Sequence, residues 1–204
     1  MPSVELDLRR LDPGETPRDT LLAPIEGADA LVVRGPVHAL SAVLARLLKA
    51  GRTAEVPVAW QPASDRDSVD LARSLGIGTG KPRDLTLVRD DHGGVLLHHG
   101  RLEAAGDGRR SLSRRLGLQA HHDDIKVADG EITRIDVRPE WQAVDTITVT
   151  VMTVPLRPTR QTTGRALQVA SDPARVVRDG VPYPRPVTRW TWYADDRVRW
   201  RLQP

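Results

Sequence analysis

Val4, Leu6 and Leu8 alternate with Ser3, Glu5 and Asp7, the period-two spacing of a strand with one buried face. Asp12-Pro13-Gly14 breaks the pattern. Thr16 then supplies an N-cap and Pro17 the first position of a short amphipathic helix that runs to Ile25 and is closed by Gly27. Ala30-Leu31-Val32-Val33 is apolar throughout and reads as a buried strand, Arg34 to His38 as a turn, and Ala39 to Leu48 as a leucine-rich helix before Gly51. A further strand at Val56–Trp60, a loop containing Pro62 and a helix from Ser68 to Leu75 stopped by Gly76 complete the first part. This βαβαβα order predicts a parallel sheet with right-handed crossovers. Function in such a sheet sits at the loops after the strands' C-terminal ends, which are 34–38 and 61–67.

Gly78 to Arg83 reads as a linker, after which only strands are predicted: 85–88, 95–98, 125–128, 132–137, 146–154, 165–170, 175–178, 187–193 and 198–202. Asp129-Gly130 and Asp179-Gly180 are hairpin signals. Many short strands imply a β-sandwich, so the expected organisation is a Rossmann-like α/β lobe at 1–84 followed by an all-β sandwich lobe at 85–204. Trp190 and Trp192 share one side of their strand, as do Val198, Trp200 and Leu202, while Arg197, Arg199 and Arg201 take the other side. That arrangement predicts a tryptophan core face beneath a solvated arginine face. A base-stacking platform would need the rings exposed among the cations.

The 204 residues carry a net charge of +3, too little to imply nucleic-acid binding, and no cysteine, which excludes disulfides, thiolate nucleophiles and cysteine-based zinc sites. Residues 1–84 hold 11 Lys+Arg against 12 Asp+Glu and the remainder 19 against 15, so the positive excess lies in the second half. Part of it is Arg109-Arg110 with Arg114-Arg115. A solvated face is the preferred reading of that cluster. The alternative is contact with anionic lipid head groups, each basic residue adding on the order of 1 kcal/mol at a membrane surface. No apolar run approaches the length of a membrane span and the N-terminus lacks the pattern of a secretory signal, so a cytoplasmic location is expected, with peripheral membrane contact as the variant.

The stretches at 30–48 and 56–77 resemble the diacylglycerol kinase and NAD kinase superfamily, whose glycine loops read Gly-Gly-Asp-Gly-Thr and Gly-Thr-Gly-Asn-Asp-Phe-Ala-Arg. The likeness extends to 4–14, to Gly27–Val33, and to Arg165–Val169 with Val176–Val181, which is similar to the family's closing hairpin, where Asp-Gly-Glu is usual. It covers 4–77 and 165–204 well and 85–160 poorly. The resemblance implies ATP and a substrate between two lobes, with Mg²⁺ at a carboxylate. Phosphoryl transfer also needs backbone N–H groups close to the phosphates, which glycines permit. Arg34, Pro36 and Val37 stand where Gly, Asp and Gly are expected, and His38 replaces the Thr. Gly35 alone remains, and Pro36 can donate no backbone hydrogen bond. The second loop, Pro62 to Asp70, has lost its glycines; Asp70 and Arg73 match the family's helix, and Val181 replaces the closing Glu. The family's opening strand and its Asn-Pro loop have no counterpart before Val4.

These losses lead to the expectation of a catalytically degenerate relative that binds a ligand or partner, an anionic lipid or nucleotide among the candidates. Its ligand-contacting residues would come from Arg34, Gly35, His38, Ser64, Asp65, Asp67, Asp70, Arg73 and Asp179. One rival is an active phosphotransferase using ATP, with Asp65, Asp67 or Asp70 for Mg²⁺ and Arg34, Arg66 or His38 against phosphate. Another is a structural subunit that forms a homo- or hetero-oligomer through an exposed sheet edge.

Other motifs weigh less. Gly76 to Pro82 fails the spacing of a phosphate loop, places Pro82 where Ser or Thr is needed, and follows a helix instead of preceding one. His98-His99 and His121-His122-Asp123-Asp124 carry metal-binding side chains, but neighbours on a strand point to opposite faces, so surface or interface histidines are preferred to a metal site. Ser64, Asp65, Asp67 and His38 lack the nucleophile elbow of a hydrolytic triad.

Overall fold

A computed structural model describes residues 3–12, 14–106, 114–154 and 157–204. In the first lobe, strands β1 (Ser3–Asp7), β2 (Ala30–Gly35) and β3 (Val58–Pro62) pair in parallel in that order. Leu6 is buried while Glu5 and Asp7 are exposed, as the alternation implies. Between β1 and β2, helix α1 covers only Asp19–Leu22 and tightens into a 3₁₀ turn over Ala23–Gly27. The longer helix expected from Thr16 does not form: Arg18 is the N-cap, and Pro24 lacks the N–H that a continuing α-helix would use.

Helix α2 (Val37–Lys49) starts two residues before the leucine repeat because Pro36, in extended conformation, already serves as its N-cap. It buries Leu40, Val43, Leu44 and Leu47 in one cluster with Leu31, Val33, Val58 and Trp60, each large side chain contributing about 1.5–3 kcal/mol by leaving water. Helix α3 (Arg66–Leu75) likewise starts earlier than expected, at an Asp65 cap, and ends at Gly76 in the left-handed conformation.

The second lobe consists of β4 (Arg83–Asp90), β5 (Gly100–Ala104), β6 (Leu116–His122), β7 (Ile125–Ile132), β8 (Arg134–Pro139), β9 (Ile147–Met152), β10 (Arg160–Gly164), β11 (Ala166–Arg178), β12 (Val181–Pro182) and β13 (Val187–Gln203). Its strand pairs are antiparallel, and it encloses a separate core that includes Leu102, Ile135, Val149, Val176, Trp190 and Trp192. Two lobes, one with a parallel sheet and one antiparallel, agree with the expected fold class.

Several local expectations are corrected. Asp129-Gly130 is no hairpin turn: both residues pair within β7 opposite Gln119 and Leu118, and the β6–β7 turn falls at Asp123, whose φ is 52°. Residues 95–98 form no strand beyond a bridge at Val95, because the N–H groups of Leu97 and His98 are taken by a side chain. The strands expected at 165–170 and 175–178 are one strand, β11, with a register shift between Ala170 and Ala174. Those at 187–193 and 198–202 are also one strand, β13, with an irregularity between Asp195 and Arg199. Strands β5, β6 and β10 lie in segments where none was expected. Asp179-Gly180, by contrast, is the two-residue turn of a tight hairpin, with φ of 46° and 86°.

Strand β13 joins the lobes. Its first half pairs with β11, its second half with β4, and Leu202 reaches Val58 of β3 in parallel register. Trp190 and Trp192 are buried in the second core and Trp200 and Leu202 in the first, so the tryptophan face is a core face, as its pattern implies. Arg109 and Arg110 lie outside the described residues, whereas Arg114 and Arg115 donate to the carbonyls of Ala105 and Thr153. Among the described residues no helix is long and apolar enough to cross a membrane.

Candidate functional site

At the C-terminal ends of β2 and β3 lies a cleft of about 330 Å³. Three segments meet there: Pro36, Val37 and His38 at the start of α2, Ala63 to Asp67 leading into α3, and Asp179-Gly180 from the second lobe. Leu11 and Gly14, from the connection after β1, close another side. The cleft thus sits where loops after parallel strands place function, and it gathers His38, Ser64, Asp65, Asp67 and Asp179 from the residues singled out in the sequence.

Asp179 is fully engaged. One carboxylate oxygen accepts the Ser41 hydroxyl at 2.5 Å and the Leu97 N–H at 2.9 Å; the other accepts the N–H groups of His98 at 2.8 Å and His99 at 2.9 Å. Its own N–H donates to the His99 carbonyl at 2.8 Å. A carboxylate has about four acceptor positions, so this buried side chain is spent on tying α2 and the β11–β12 turn to the segment before β5. Asp65 is also committed, its two oxygens accepting the N–H and hydroxyl of Ser68 at 3.0 and 2.6 Å as the N-cap of α3. Asp67, with a side chain 62% exposed, stands 3.9 Å from His98 Nδ1.

His38 is the cleft's unusual wall. Its side chain is buried, and Nε2 has no hydrogen-bond partner among the described residues. Burial lowers its pKa against the opposing pull of Asp179 and Asp65, so the ring is neutral at pH 7 and presents one unsatisfied nitrogen. Arg9, the cation at the rim, is held by Asp7 at 2.6 Å.

Other expected ligand residues serve different ends. Arg34 is outside the cleft wall and pairs with Glu5 across β1 and β2 at 3.1 Å. Asp70 lies on α3 between Arg66 at 3.7 Å and Arg73 at 3.1 Å, so the family-like Asp70 and Arg73 form a surface ion pair. Gly35 is needed for close chain packing: with φ of 151°, a Cβ there would lie 2.9 Å from the Leu8 carbonyl oxygen. Its own carbonyl accepts the Trp60 indole at 3.0 Å and the Ala63 N–H at 3.1 Å.

The histidine pairs do not assemble a metal site, and no group of three or more His, Asp or Glu suited to a metal occurs among the described residues. His99 Nε2 bonds Asp136 at 3.0 Å, and His122 Nδ1 bonds Thr162 at 2.7 Å. Asp136 also accepts from Arg101 at 3.2 Å and Arg134 at 2.9 Å. Burial raises its pKa, but the His99 hydrogen bond and the charges of His99, Arg134 and Arg101 outweigh that and bring it to about 2.

Sequence reasoning missed the buried pair of Arg178 Nη1 and Asp90 at 2.8 Å. Its one signal is position, since Arg178 directly precedes the Asp179-Gly180 turn. It also missed Leu11 and Gly14 as walls of the cleft.

No protein-family model matches the sequence, and no curated relative does. Solved structures do match. A diacylglycerol kinase from Bacillus anthracis str. Sterne superposes with a TM-score of 0.61 at 10% identity over 85% of this chain and 77% of its own. An NAD kinase from Archaeoglobus fulgidus in complex with ATP gives 0.56 at 12% identity, covering 92% and 80%. A yeast NADH kinase complexed with NADH gives 0.56 at 12% identity, covering 86% and 61%. The chain has the fold of the diacylglycerol kinase and NAD kinase superfamily.

Proposed function

We propose that this chain, built on the fold of diacylglycerol and NAD kinases, is a catalytically degenerate relative that binds a small uncharged ligand in the cleft between α2, α3 and the Asp179-Gly180 turn. The observation that carries the reading is the saturation of Asp179, whose carboxylate accepts four hydrogen bonds and has no oxygen position left for a metal ion.

The residues present do not fit a nucleoside triphosphate with Mg²⁺. Asp65 is occupied as a helix cap and Asp70 lies in a surface ion network, which leaves Asp67 as the carboxylate of the second loop facing the cleft without a hydrogen bond among the described residues. Pro36 supplies no N–H at the mouth of α2. Among the described residues Arg9 is the one cation in the wall, and it spends both Nε and Nη2 on a bidentate pair with Asp7, while Asp65, Asp67 and Asp179 make the lining net negative. A polyphosphate would meet repulsion there. Leu11, Pro36, Val37 and Ala63 instead offer an apolar surface beside the neutral His38 nitrogen, the composition of a site for a neutral molecule with one hydrogen-bonding group.

The test is incubation of purified protein with labelled ATP, Mg²⁺ and diacylglycerol, alongside thermal-shift titrations of ATP·Mg²⁺ and of adenosine, a neutral probe with hydroxyl groups. No phosphatidic acid, no stabilisation by ATP·Mg²⁺ and stabilisation by adenosine are expected. Phosphatidic acid formation that follows the protein peak overturns the proposal.

A further inference from the structure

His38 separates the cleft from a second cavity, of about 200 Å³, that lies between α2 and the second lobe. Ala42 and Ala45 form its floor: three residues apart on one helix face, they leave room that a longer side chain would fill. The opposite wall comes from the turn at His92–Gly94 and from Arg178.

The two cavities differ in charge. Three aspartates line the cleft, whereas no Asp or Glu occurs among the described residues of this chamber. Its polar groups are Thr16, His38, Ser41, His92 and Arg178. The Ser41 hydroxyl is committed to Asp179. Arg178 is fixed in place: Nη1 donates to the fully buried Asp90 carboxylate at 2.8 Å, and the guanidinium lies 5.7 and 5.9 Å from the ring centres of Tyr183 and Trp190. A guanidinium has five N–H donors, and the others have no protein acceptor among the described residues. Asp90 is occupied on its far side by the N–H groups of His92 and Gly94, both at 2.9 Å. A held cation with spare donors and the Thr16 hydroxyl, around a space lined by no Asp or Glu among the described residues, match a compact oxyanion.

We propose that this chamber binds phosphate, free or as the head of a small monoester, through the Arg178 guanidinium with Thr16 as a further hydrogen-bond partner. The site is distinct from the neutral-ligand cleft and does not depend on that reading.

Isothermal titration with inorganic phosphate and, separately, methyl phosphate tests it at constant ionic strength. Saturable binding of inorganic phosphate is expected, weakened at least about tenfold by Ala45→Leu, whose added carbons take up the anion's space without changing any charge or reaching the cleft, and about tenfold by Thr16→Val, since a charge-assisted hydrogen bond is worth roughly that factor. Binding of inorganic phosphate alone identifies the free anion as ligand, and binding of both identifies the monoester head as admissible. Arg178→Met should abolish binding but strands the Asp90 carboxylate, so Ala45→Leu, checked for folding by circular dichroism, carries the decision, with Thr16→Val replacing it if the leucine variant does not fold. Absence of saturable phosphate binding by the unmodified protein, or undiminished binding by the folded deciding variant, overturns the proposal.

Discussion

The Ser41 hydroxyl donates to the Asp179 carboxylate at 2.5 Å, a contact between residues 138 positions apart. Ser41 belongs to α2 of the first lobe and Asp179 to the hairpin turn of the second, so one buried hydrogen bond fixes the lobes on each other at the edge of the cleft.

Asp179→Asn should therefore act on stability. An amide presents a donor where the carboxylate accepts, so at least one of the Leu97, His98 and His99 N–H groups or the Ser41 hydroxyl loses its acceptor. A loss of about 2–4 kcal/mol is expected. Ser41→Ala, which leaves the three N–H groups served, should cost about 1 kcal/mol. Urea denaturation of the two variants measures both.

Gly35→Ala should cost about 2 kcal/mol or more, because the position combines φ of 151° with a Cβ contact of 2.9 Å to the Leu8 carbonyl oxygen. Leu8 cannot yield freely, because its own N–H is bonded to the Arg34 carbonyl at 2.7 Å. Thermal denaturation of the variant checks this; an unchanged midpoint would mean that Leu8 moves freely.

Asp136 should make the protein sensitive to strong acid. Its folded pKa of about 2 lies below the ordinary value of 3.8, so the folded state holds its proton less tightly than the unfolded chain. The contribution is fully present well above pH 3.8 and is lost as pH falls from there through 2. Asp136→Asn should remove that part of the acid dependence and cost about 3–5 kcal/mol at neutral pH, since it leaves Arg101 and Arg134 without their buried counter-charge. Denaturation midpoints at pH 7, 4 and 3 for both proteins provide the comparison.

Three histidines act at milder acidity. Burial lowers the pKa of His38, His98 and His122, against the raising influence of Asp179, Asp67 and Asp123 respectively. The folded state binds their protons less readily than the unfolded chain, so stability is complete above the ordinary value of 6.5 and declines as pH falls below it. Stability should drop between pH 7.5 and 5.5, and His122→Asn should make that drop smaller. A flat profile over this interval would contradict the buried, neutral state of these rings.

The parallel lobe was legible because its signals are local: apolar runs at 30–33 and 56–60, a leucine repeat in α2, and Gly51 and Gly76 as stops. In the second lobe the strands depend on distant partners. Strand β10, Arg160-Gln161-Thr162-Thr163-Gly164, is polar and half exposed, so periodicity has nothing to detect, and it exists by pairing with β9. Leu116, Leu118, Ala120 and His122 do alternate as buried positions of β6, so that strand carries a local signal that β10 lacks. The site followed the same division. Positions at strand ends pointed to His38, Ser64, Asp65 and Asp67, and the structure brings all four to one cleft. What Asp179 and Asp65 do there depends on which N–H groups arrive from elsewhere, and neither Leu97–His99 nor Ser68 announces that in sequence.

The central claim is that this cleft has exchanged metal-bound polyphosphate for a neutral ligand. Isothermal titration with ATP·Mg²⁺, set against Asp67→Asn, addresses it most directly. No saturable heat is expected from either protein, because Asp67 is the carboxylate left to meet a metal and cannot hold it alone. Saturable ATP·Mg²⁺ binding that Asp67→Asn abolishes, with the fold intact, would contradict it.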